Sequence, residues 1–219
     1  MTHTAHWALA LVVLTLLTAE RLSAQLADTC APNSPERRGG IGCTIVETKA
    51  LPDGLREPLF WHIDRFESLE RARSAVGPAS VAFDAAGASW LMTIESQTSD
   101  HRGGEHVTQV GPLQLPNATK YAMQAYSVAW TPGLYSLVHH HSGVEAFYVI
   151  DGEQCLQTST GASRMGPGDT AALPAGVVMR VMATGTTIRR ALAILVHDAA
   201  QPPTMRIEEG KAPQLASCK

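Results

Sequence analysis

One segment of the chain, residues 133–152, constrains the fold more than any other. It begins and ends with glycine and reads Gly-LYSLV-His-His-His-SGV-Glu-AFYVID-Gly. Because side chains alternate along a β-strand, His139 and His141 share one face and His140 takes the other. A turn directly after the histidines lets an antiparallel strand that starts at Glu145 return beside them. The sequence therefore predicts two imidazoles and one carboxylate on a common face.

This trio is a ligand set typical of first-row divalent metals, and it leaves coordination positions open. We therefore predict that His139, His141 and Glu145 bind a divalent metal ion, with Fe, Mn, Ni, Cu and Zn as the candidates. The sequence identifies no separate catalytic acid or base.

The same twenty residues resemble the first motif of the cupin superfamily: Gly, five residues, His-x-His, three or four residues, Glu, six residues, Gly. Every fixed position is matched. The second cupin motif is matched in part. Its glycines and proline are present at Gly168, Pro174 and Gly176, but Met179 replaces the histidine and Ala183 replaces the asparagine.

The resemblance implies an all-β fold, the double-stranded β-helix or jelly-roll barrel of cupins, over residues 121–200. Residues 25–120 then form an N-terminal arm and extra strands packed on the barrel, and residues 201–219 form a C-terminal tail. The 18 glycines and 13 prolines agree with a chain of many turns, which favours β structure over a helix bundle.

The arm itself contains two recognisable elements. Residues 68–75 predict a short helix that is capped by serine and stopped by Gly-Pro, and residues 80–94 predict a hairpin around Asp-Ala-Ala-Gly. We expect irregular structure over residues 28–58, with at most one short strand around 44–48, and a loop over residues 97–120.

Met179 is the most informative departure from the cupin pattern. If Val177, Met179 and Val181 face the barrel interior, the thioether occupies the place that the resemblance assigns to a fourth ligand. A thioether is a soft ligand, poor for Fe(II), Mn(II) or Zn(II) and acceptable mainly for copper. Either three ligands hold the metal, with water or substrate completing its shell, or the barrel binds an organic ligand without metal. Retention of three hydrophilic ligands inside a barrel favours the first outcome.

Four residues are candidates for a pocket around the metal: Met179, Tyr135, Phe147 and His197. Tyr135 precedes the histidines on their face, and Phe147 follows Glu145 on its face. Apolar walls around one polar cluster are typical of small-molecule sites, although the same residues would also fill a jelly-roll core. His197 is a candidate substitute ligand, but an exposed histidine at a strand end is the simpler interpretation.

Two further histidines, His101 and His106, lie in the glycine-rich segment HRGGEH. They would reach the metal if this segment folded over the barrel mouth. A solvated loop is the simpler interpretation.

The beginning of the chain resembles a targeting segment. Residues 7–19 are continuously apolar but too short to cross a bilayer, and small residues follow them. We expect a signal peptide over residues 1–24, with a membrane anchor or a buried helix as the alternative. No other stretch is long and apolar enough to span a membrane, so we expect a secreted or periplasmic protein with no membrane association after cleavage.

Export changes the interpretation of the four cysteines, Cys30, Cys43, Cys155 and Cys218. An even number in an oxidising compartment indicates disulfides, and four cysteines allow three connectivities. A Cys30–Cys43 pair would close a loop rich in proline and glycine, and Cys155–Cys218 would then tie the tail to a strand. Four free thiols are the alternative.

The balance of charge also limits the function. The chain has 17 Lys and Arg against 20 Asp and Glu, and no basic stripe, so we expect no nucleic-acid partner. The resemblance implies a secreted metal-dependent cupin enzyme that acts on a small oxygen-bearing molecule, with dioxygenase chemistry as the first expectation and isomerase or lyase chemistry next.

The alternative function is a non-catalytic cupin module that binds a small molecule or a metal in the cell envelope. An inert structural protein of the envelope is a third reading. Because cupin barrels often pair through their edges, the resemblance also implies a homodimer.

Overall fold

A computed structural model describes residues 31–32, 40–55, 57–208 and 210–218. The helix α1 spans Leu69–Ser74, and a 3-10 turn spans His101–Gly103. The strands of the described residues are β1 Ala31–Pro32, β2 Gly42–Ala50, β3 Phe60–Phe66, β4 Ser80–Ala85, β5 Ala88–Glu95, β6 Glu105–Val110, β7 Tyr121–Trp130, β8 His139–His141, β9 Gly143–Asp151, β10 Glu153–Thr158, β11 Ala162–Met165, β12 Thr170–Leu173, β13 Met179–Thr184, β14 Arg189–Asp198 and β15 Thr204–Arg206.

The predicted signal peptide, residues 1–24, lies outside the described residues. Among the helices that the structure does describe, none has the length and apolar character needed to cross a bilayer.

Two sheets face each other and form the barrel. One has six strands in the order β1-β2-β7-β14-β9-β12, and the other has five in the order β11-β10-β13-β8-β15. The predicted all-β jelly roll is therefore confirmed. Their inner faces share one apolar core, formed by Tyr126, Val128, Trp130, Phe147, Val149, Leu156, Met165, Met179, Val181, Ala183, Ala193 and Leu195.

A third layer covers the outer face of the six-stranded sheet. It is a four-stranded sheet in the order β4-β5-β3-β6. Trp61 and Ile63 of β3 belong to one core cluster with Met123 of β7 and Ile194 of β14. The centre of the six-stranded sheet is therefore buried on both faces, which explains why β14 is apolar at every position from Ala191 to Val196 instead of alternating.

The predicted helix and hairpin are both confirmed. Ser68 caps α1 by accepting a hydrogen bond from the backbone N–H of Arg71 at 3.3 Å. β4 and β5 are joined through Ala86 and Gly87, whose φ angles of 51° and 77° give the left-handed conformation that a tight two-residue hairpin turn requires.

The arm contains more strand than we predicted. β2 runs for nine residues and pairs with β7 of the barrel, and β6 forms within the region predicted to be a loop. Both strands are only partly buried. Strands near a sheet edge are held by backbone hydrogen bonds rather than by two apolar faces, so their sequences stay polar and resemble loops.

Residues of the predicted tail also take part in the barrel. β15 pairs antiparallel with β8, and the Cys155–Cys218 disulfide ties the end of the chain to β10. That predicted pair is confirmed. Cys43 is also disulfide-bonded, while Cys30, its predicted partner, lies outside the described residues.

Candidate metal centre

The three predicted metal ligands come from opposite sheets of the barrel. His139 and His141 lie on β8, which pairs with β13 and β15, whereas Glu145 lies on β9, which pairs with β12 and β14. The expectation that these two strands form a hairpin is wrong. The chain crosses between the sheets directly after β8, so Glu145 faces the histidines across the barrel interior.

The crossing between the sheets is held in place by close backbone contacts. The Ser142 hydroxyl donates to the Pro202 carbonyl at 2.8 Å. A Cβ atom on Gly143 would collide with the backbone of Val196 and His197. Glycine is therefore required where β9 begins, and this close approach positions Glu145 two residues further on.

The donor atoms of the three residues converge. His139 Nε2 lies 3.1 Å from His141 Nε2, which lies 3.0 Å from Glu145 Oε2. The other ring nitrogens face carbonyl oxygens: His139 Nδ1 is 2.7 Å from Leu137 O, and His141 Nδ1 is 3.1 Å from Pro203 O. A carbonyl only accepts, so each Nδ1 carries a hydrogen, and the two Nε2 atoms of the neutral rings present lone pairs.

This arrangement fits a cation. Two nitrogen lone pairs face each other, and Glu145 Oε2 is buried and accepts no well-aligned hydrogen bond from the described residues. Carbonyls that fix the far nitrogen of a ligating histidine are typical outer partners of a bound metal. Two imidazoles and a carboxylate suit divalent first-row metals with open coordination positions.

The electrostatics separate the two histidines. Burial, followed by the charge of His141, lowers the pKa of His139. Burial also opposes protonation of His141, but the charge of Glu145, its short contact with the ring and the Pro203 carbonyl together raise the pKa of His141. The negative charge of Glu145 therefore favours protonation of His141 over protonation of His139.

The three ligands lie in the wall of a cavity of about 270 Å³ inside the barrel. Phe147, one of the predicted pocket residues, lines it. The rest of the wall is mainly apolar, with a few polar groups; its other members include Ile45, Gln124, Tyr126, Val128, Trp130, Val181, Arg189, Ala193, Thr204 and Arg206. Apolar walls with a few placed polar groups are typical of small-molecule sites.

Met179 is buried in the barrel core, on the inward face that we predicted, but it does not form part of the cavity wall. It is the cross-strand partner of His139. The thioether therefore packs beside the first ligand rather than opening onto the cavity.

Tyr135 also lies away from the cavity. It forms an isolated bridge with Met182, and the guanidinium of Arg180 lies 5.4 Å from the centre of its ring. Both partners alternate with the inward-facing Val181, so Tyr135 is on the outer side of the five-stranded sheet. Our face assignment failed because β8 begins only at His139, and strand alternation does not extend back to Tyr135.

His197 differs from both of our interpretations. It is buried rather than exposed, because it packs against Gly143 where β14 meets β9. Its Nδ1 atom lies 2.8 Å from the Asp198 carbonyl, and it lies outside the ligand clusters formed by the described residues.

His101 and His106 lie on the four-stranded sheet rather than over the barrel mouth. Both contact Asp64 of β3, at 2.9 Å and 3.2 Å. Asp64 alternates with Ile63, which faces the barrel sheet, so these histidines are on the far side of the third layer.

Sequence reasoning missed a buried charged residue of the cavity wall, Arg189. It is 1% exposed, and its guanidinium lies 5.1 Å from the centre of the Trp130 ring. Burial lowers the pKa of Arg189, whereas the charge of Glu145 raises it. A signal was present, because Arg189 is in phase with the inward-facing Ala193 and Leu195 of the same strand.

Several solved structures are similar to parts of the chain. They include a cupin-like protein from Thermotoga maritima (23% identity, 39% of this chain, 64% of that chain, TM-score 0.36). A putative sugar phosphate isomerase from Acidithiobacillus ferrooxidans matches at 24% identity over 34% of this chain and 50% of its own, with a TM-score of 0.32. A polyketide cyclase from Streptomyces resistomycificus matches at 19% identity over 42% of this chain and 64% of its own, with a TM-score of 0.34.

The match to the first of these structures therefore spans less than two thirds of its length. A search of curated proteins found no match. The cupin family model, in contrast, matches residues 93–212, which is more than half of the chain and includes all three candidate ligands. Together with the jelly-roll barrel, this match shows that the chain belongs to the cupin family.

Proposed function

We propose that this protein is a metal-dependent enzyme that binds a divalent first-row metal through His139, His141 and Glu145 and acts on a small oxygen-bearing molecule. One observation carries the proposal. His141 Nε2 lies 3.1 Å from His139 Nε2 and 3.0 Å from Glu145 Oε2, and all three residues line the cavity of the barrel.

When bound, the metal would supply Lewis-acid chemistry and a template for a chelating substrate, and a redox-active metal would add O2 chemistry. The chain's own residues prepare this site. Carbonyls of Leu137 and Pro203 fix both imidazoles with their Nε2 atoms inward. Phe147 and its apolar neighbours form most of the remaining wall, and a low-polarity wall strengthens charge interactions inside the cavity.

The charges of the wall support an oxygen-rich substrate. Arg189 is buried, and its Nε atom has no hydrogen-bond partner within the described ranges. A buried N–H donor without an acceptor costs about 1–3 kcal/mol, so a ligand oxygen at this position would be favoured. Gln124 and the hydroxyl of Tyr126, which bond each other at 2.6 Å, offer further polar contacts. We infer that the substrate carries a carboxylate or enolate-type oxygen.

Dioxygenase chemistry and secretion are the finer parts of the proposal. Dioxygenase chemistry is supported by the donor set, which leaves positions open for both substrate and O2. Secretion is supported by the Cys155–Cys218 disulfide, because disulfides persist in oxidising compartments. The homodimer that we expected stays a prediction.

The non-catalytic binding module is the second candidate, and Met179 favours it. This thioether stands where the second cupin motif has a histidine, and it packs into the core instead of toward the donors. A three-ligand centre that only stores or senses a metal would need no fourth ligand.

Metal analysis followed by O2 uptake tests the proposal. The protein, purified without a polyhistidine tag, would be loaded separately with Fe(II), Mn(II), Ni(II), Cu(II) and Zn(II). We expect Glu145→Ala and His139→Ala to lower the bound metal, and His140→Ala to leave it unchanged, because His140 lies outside the ligand cluster. O2 consumption would then be followed with small chelating acids, 1,2-diketones and catechols.

The outcomes separate the two functions. Metal-dependent O2 uptake that is lost in Glu145→Ala supports the enzyme. Stoichiometric metal without turnover of any probe supports the binding module. Metal content that is the same in the wild type and in both ligand variants would refute the proposed centre.

A further inference from the structure

A second cluster of histidines lies outside the barrel. One nitrogen from each of His62, His101 and His106 lies within 4.8 Å of the others. The rings of His101 and His106 are 4.1 Å apart, and the ring of His62 lies 6.1 Å and 6.2 Å from them. None of the three belongs to the cupin motifs or to the cavity wall.

One buried carboxylate determines which ring nitrogen carries the hydrogen in two of these histidines. Asp64 is 1% exposed, and its Oδ1 atom lies 2.9 Å from His101 Nδ1 and 3.2 Å from His106 Nδ1. A carboxylate oxygen only accepts, so both Nδ1 atoms donate to it. The Nε2 atoms of these neutral rings then carry lone pairs.

His62 completes the set from inside the sheet. It is 0% exposed, and its Nε2 atom lies 2.8 Å from the Ser96 carbonyl, to which it must donate. Its Nδ1 atom therefore keeps a lone pair. That atom is buried and has no hydrogen-bond partner in the part of the chain that the structure describes. A buried acceptor without a donor is costly, and a cation would satisfy it.

The backbone of the loop that carries His101 is fixed by several contacts with the four-stranded sheet and with α1. His101 and Arg102 adopt φ angles of 51° and 46°, a left-handed conformation that costs non-glycine residues about 1–3 kcal/mol each. The guanidinium of Arg102 anchors the loop by donating to the Ser80 hydroxyl at 2.9 Å and to the Ala75 carbonyl at 3.3 Å. A Cβ on Gly104 would lie 2.5 Å from the Phe66 ring, so the chain passes close to the sheet here.

We propose that His62, His101 and His106 form a second metal site, for zinc or a similar first-row divalent ion, with Asp64 as the positioning residue of two ligands. Three imidazoles with an open fourth position suit such an ion, and a carboxylate behind a ligating imidazole raises its basicity. Nitrogens bound to one zinc ion are at most about 4 Å apart. The three histidine nitrogens lie within 4.8 Å of one another, so metal binding would need only small rotations of the rings. His101 and His106 have side chains that are 31% and 36% exposed, which leaves the fourth position open to solvent.

The test uses the complete protein without a polyhistidine tag, stripped with a chelator and titrated with Zn²⁺ or Co²⁺ alone. His139→Ala/Glu145→Ala removes the barrel ligands, so binding in this background reports the second site. We expect about one equivalent of metal, visible calorimetrically with Zn²⁺ and as ligand-field absorption bands with Co²⁺.

Added to this background, His101→Ala or His106→Ala should abolish the bands. Both residues are partly exposed, so these variants should fold. Asp64→Asn should weaken binding about 10–100-fold while keeping the Co²⁺ bands at saturation, because it alters the ligands without removing one. His140→Ala is the matched control, because His140 belongs to neither histidine cluster. It should leave both the metal affinity and the Co²⁺ bands unchanged.

Absence of Zn²⁺ and Co²⁺ binding in the barrel-ligand background would overturn the proposal, and the cluster would then be a hydrogen-bonded network around Asp64. Binding that survives in both His101→Ala and His106→Ala would overturn it as well. Neither result tests the barrel site. Metal binding at the barrel site is measured separately, in the His101→Ala/His106→Ala variant, which lacks two ligands of the second site.

Discussion

Met179 and His139 are direct cross-strand partners on β13 and β8; Met179 is buried in the barrel core, and His139 is half-buried in the cavity wall. The residue that replaces a motif histidine therefore lies beside the first candidate metal ligand. Its thioether fills core volume there and lies off the cavity wall. A side chain at this position reaches the metal only if it is long enough and turned toward the ligands.

Met179→His should therefore tighten metal binding at the barrel site by about tenfold or more, because a fourth imidazole is added beside His139. Calorimetric titration with Zn²⁺ or Mn²⁺ in the His101→Ala/His106→Ala background measures the change. Met182→His, on the opposite face of β13, is the control and should leave affinity unaltered. Equal affinities in Met179→His and wild type would show that this position does not reach the ligands.

Metal binding at the barrel site should weaken as the pH falls. The pKa of His141 is raised above the ordinary 6.5, so its proton begins to compete with the metal above that pH. Below it, affinity should fall about tenfold per pH unit. The stability of the metal-free protein has the opposite pH dependence. Because the pKa of His141 is raised in the folded state, its protonation contributes fully to the free energy of unfolding below pH 6.5. This contribution is lost as the pH rises through the pKa of the folded state.

Metal content after dialysis between about pH 5 and about pH 8 would check this dependence. Glu145→Gln should bind metal more weakly and shift the onset to lower pH, because the charge that raises the pKa of His141 is gone. Metal retention that is independent of pH over this range would contradict competition between the metal and a proton on His141.

Arg189→Met should weaken the binding of small carboxylates in the cavity by about 10–150-fold, which corresponds to about 1.5–3 kcal/mol for a charged hydrogen bond. Titration with benzoate or oxalate measures the loss. Arg189→Lys keeps the charge but not the planar fork, so it should restore part of the affinity. Unchanged anion binding in Arg189→Met would remove the argument for an anionic substrate.

Two glycines of the first motif should differ in their tolerance of alanine. Both Gly133 and Gly152 have positive φ, at 88° and 69°, but a Cβ on Gly152 would lie 2.6 Å from the Ile188 carbonyl, whereas Gly133 faces open space. Gly133→Ala should cost about 1–2 kcal/mol of unfolding free energy from backbone strain. Gly152→Ala should cost a further 1–3 kcal/mol from the clash. Urea denaturation of both variants compares them, and equal losses would show that the clash relaxes.

The Cys155–Cys218 disulfide should stabilise the fold by about 2–4 kcal/mol, because it closes a loop with a sequence separation of 63 residues. Cys155→Ala/Cys218→Ala tested in urea measures this contribution. Gln157→Ala is the comparison variant, since it removes two hydrogen bonds: the 2.9 Å bond that Gln157 donates to the Ala216 carbonyl and the 2.8 Å bond that it accepts from Arg180. This variant should lose about 1–3 kcal/mol. A double-cysteine variant as stable as the wild type would contradict the expectation.

The part of the site that was predictable from the sequence is the part with fixed local spacing. Strand alternation placed His139 and His141 on one face, and the interval to Glu145 brought its carboxylate to them. Local spacing does not reveal which sheet a strand joins. The crossing between the sheets depends on where β8 finds its partners, β13 and β15, and these are far away in the chain.

The second histidine cluster was less accessible to sequence reasoning for the same reason. His62 and Asp64 belong to β3, and they meet His101 and His106 only through pairing and loop packing across about forty residues. Its two outer histidines could be noticed within HRGGEH, but the buried carboxylate that orients them could not. Polar edge strands such as β6 were mistaken for loops because backbone pairing leaves no apolar pattern.

The four-stranded sheet shares its hydrophobic cluster with the outer surface of the barrel, and this limits how the protein can be dissected. Excision of residues 121–200 alone would bare Met123, Leu192, Ile194 and Val196 to water. Contiguous exposed apolar surface of this kind promotes aggregation. The motif-bearing segment should therefore not fold well alone, and recombinant fragments should retain the preceding strands.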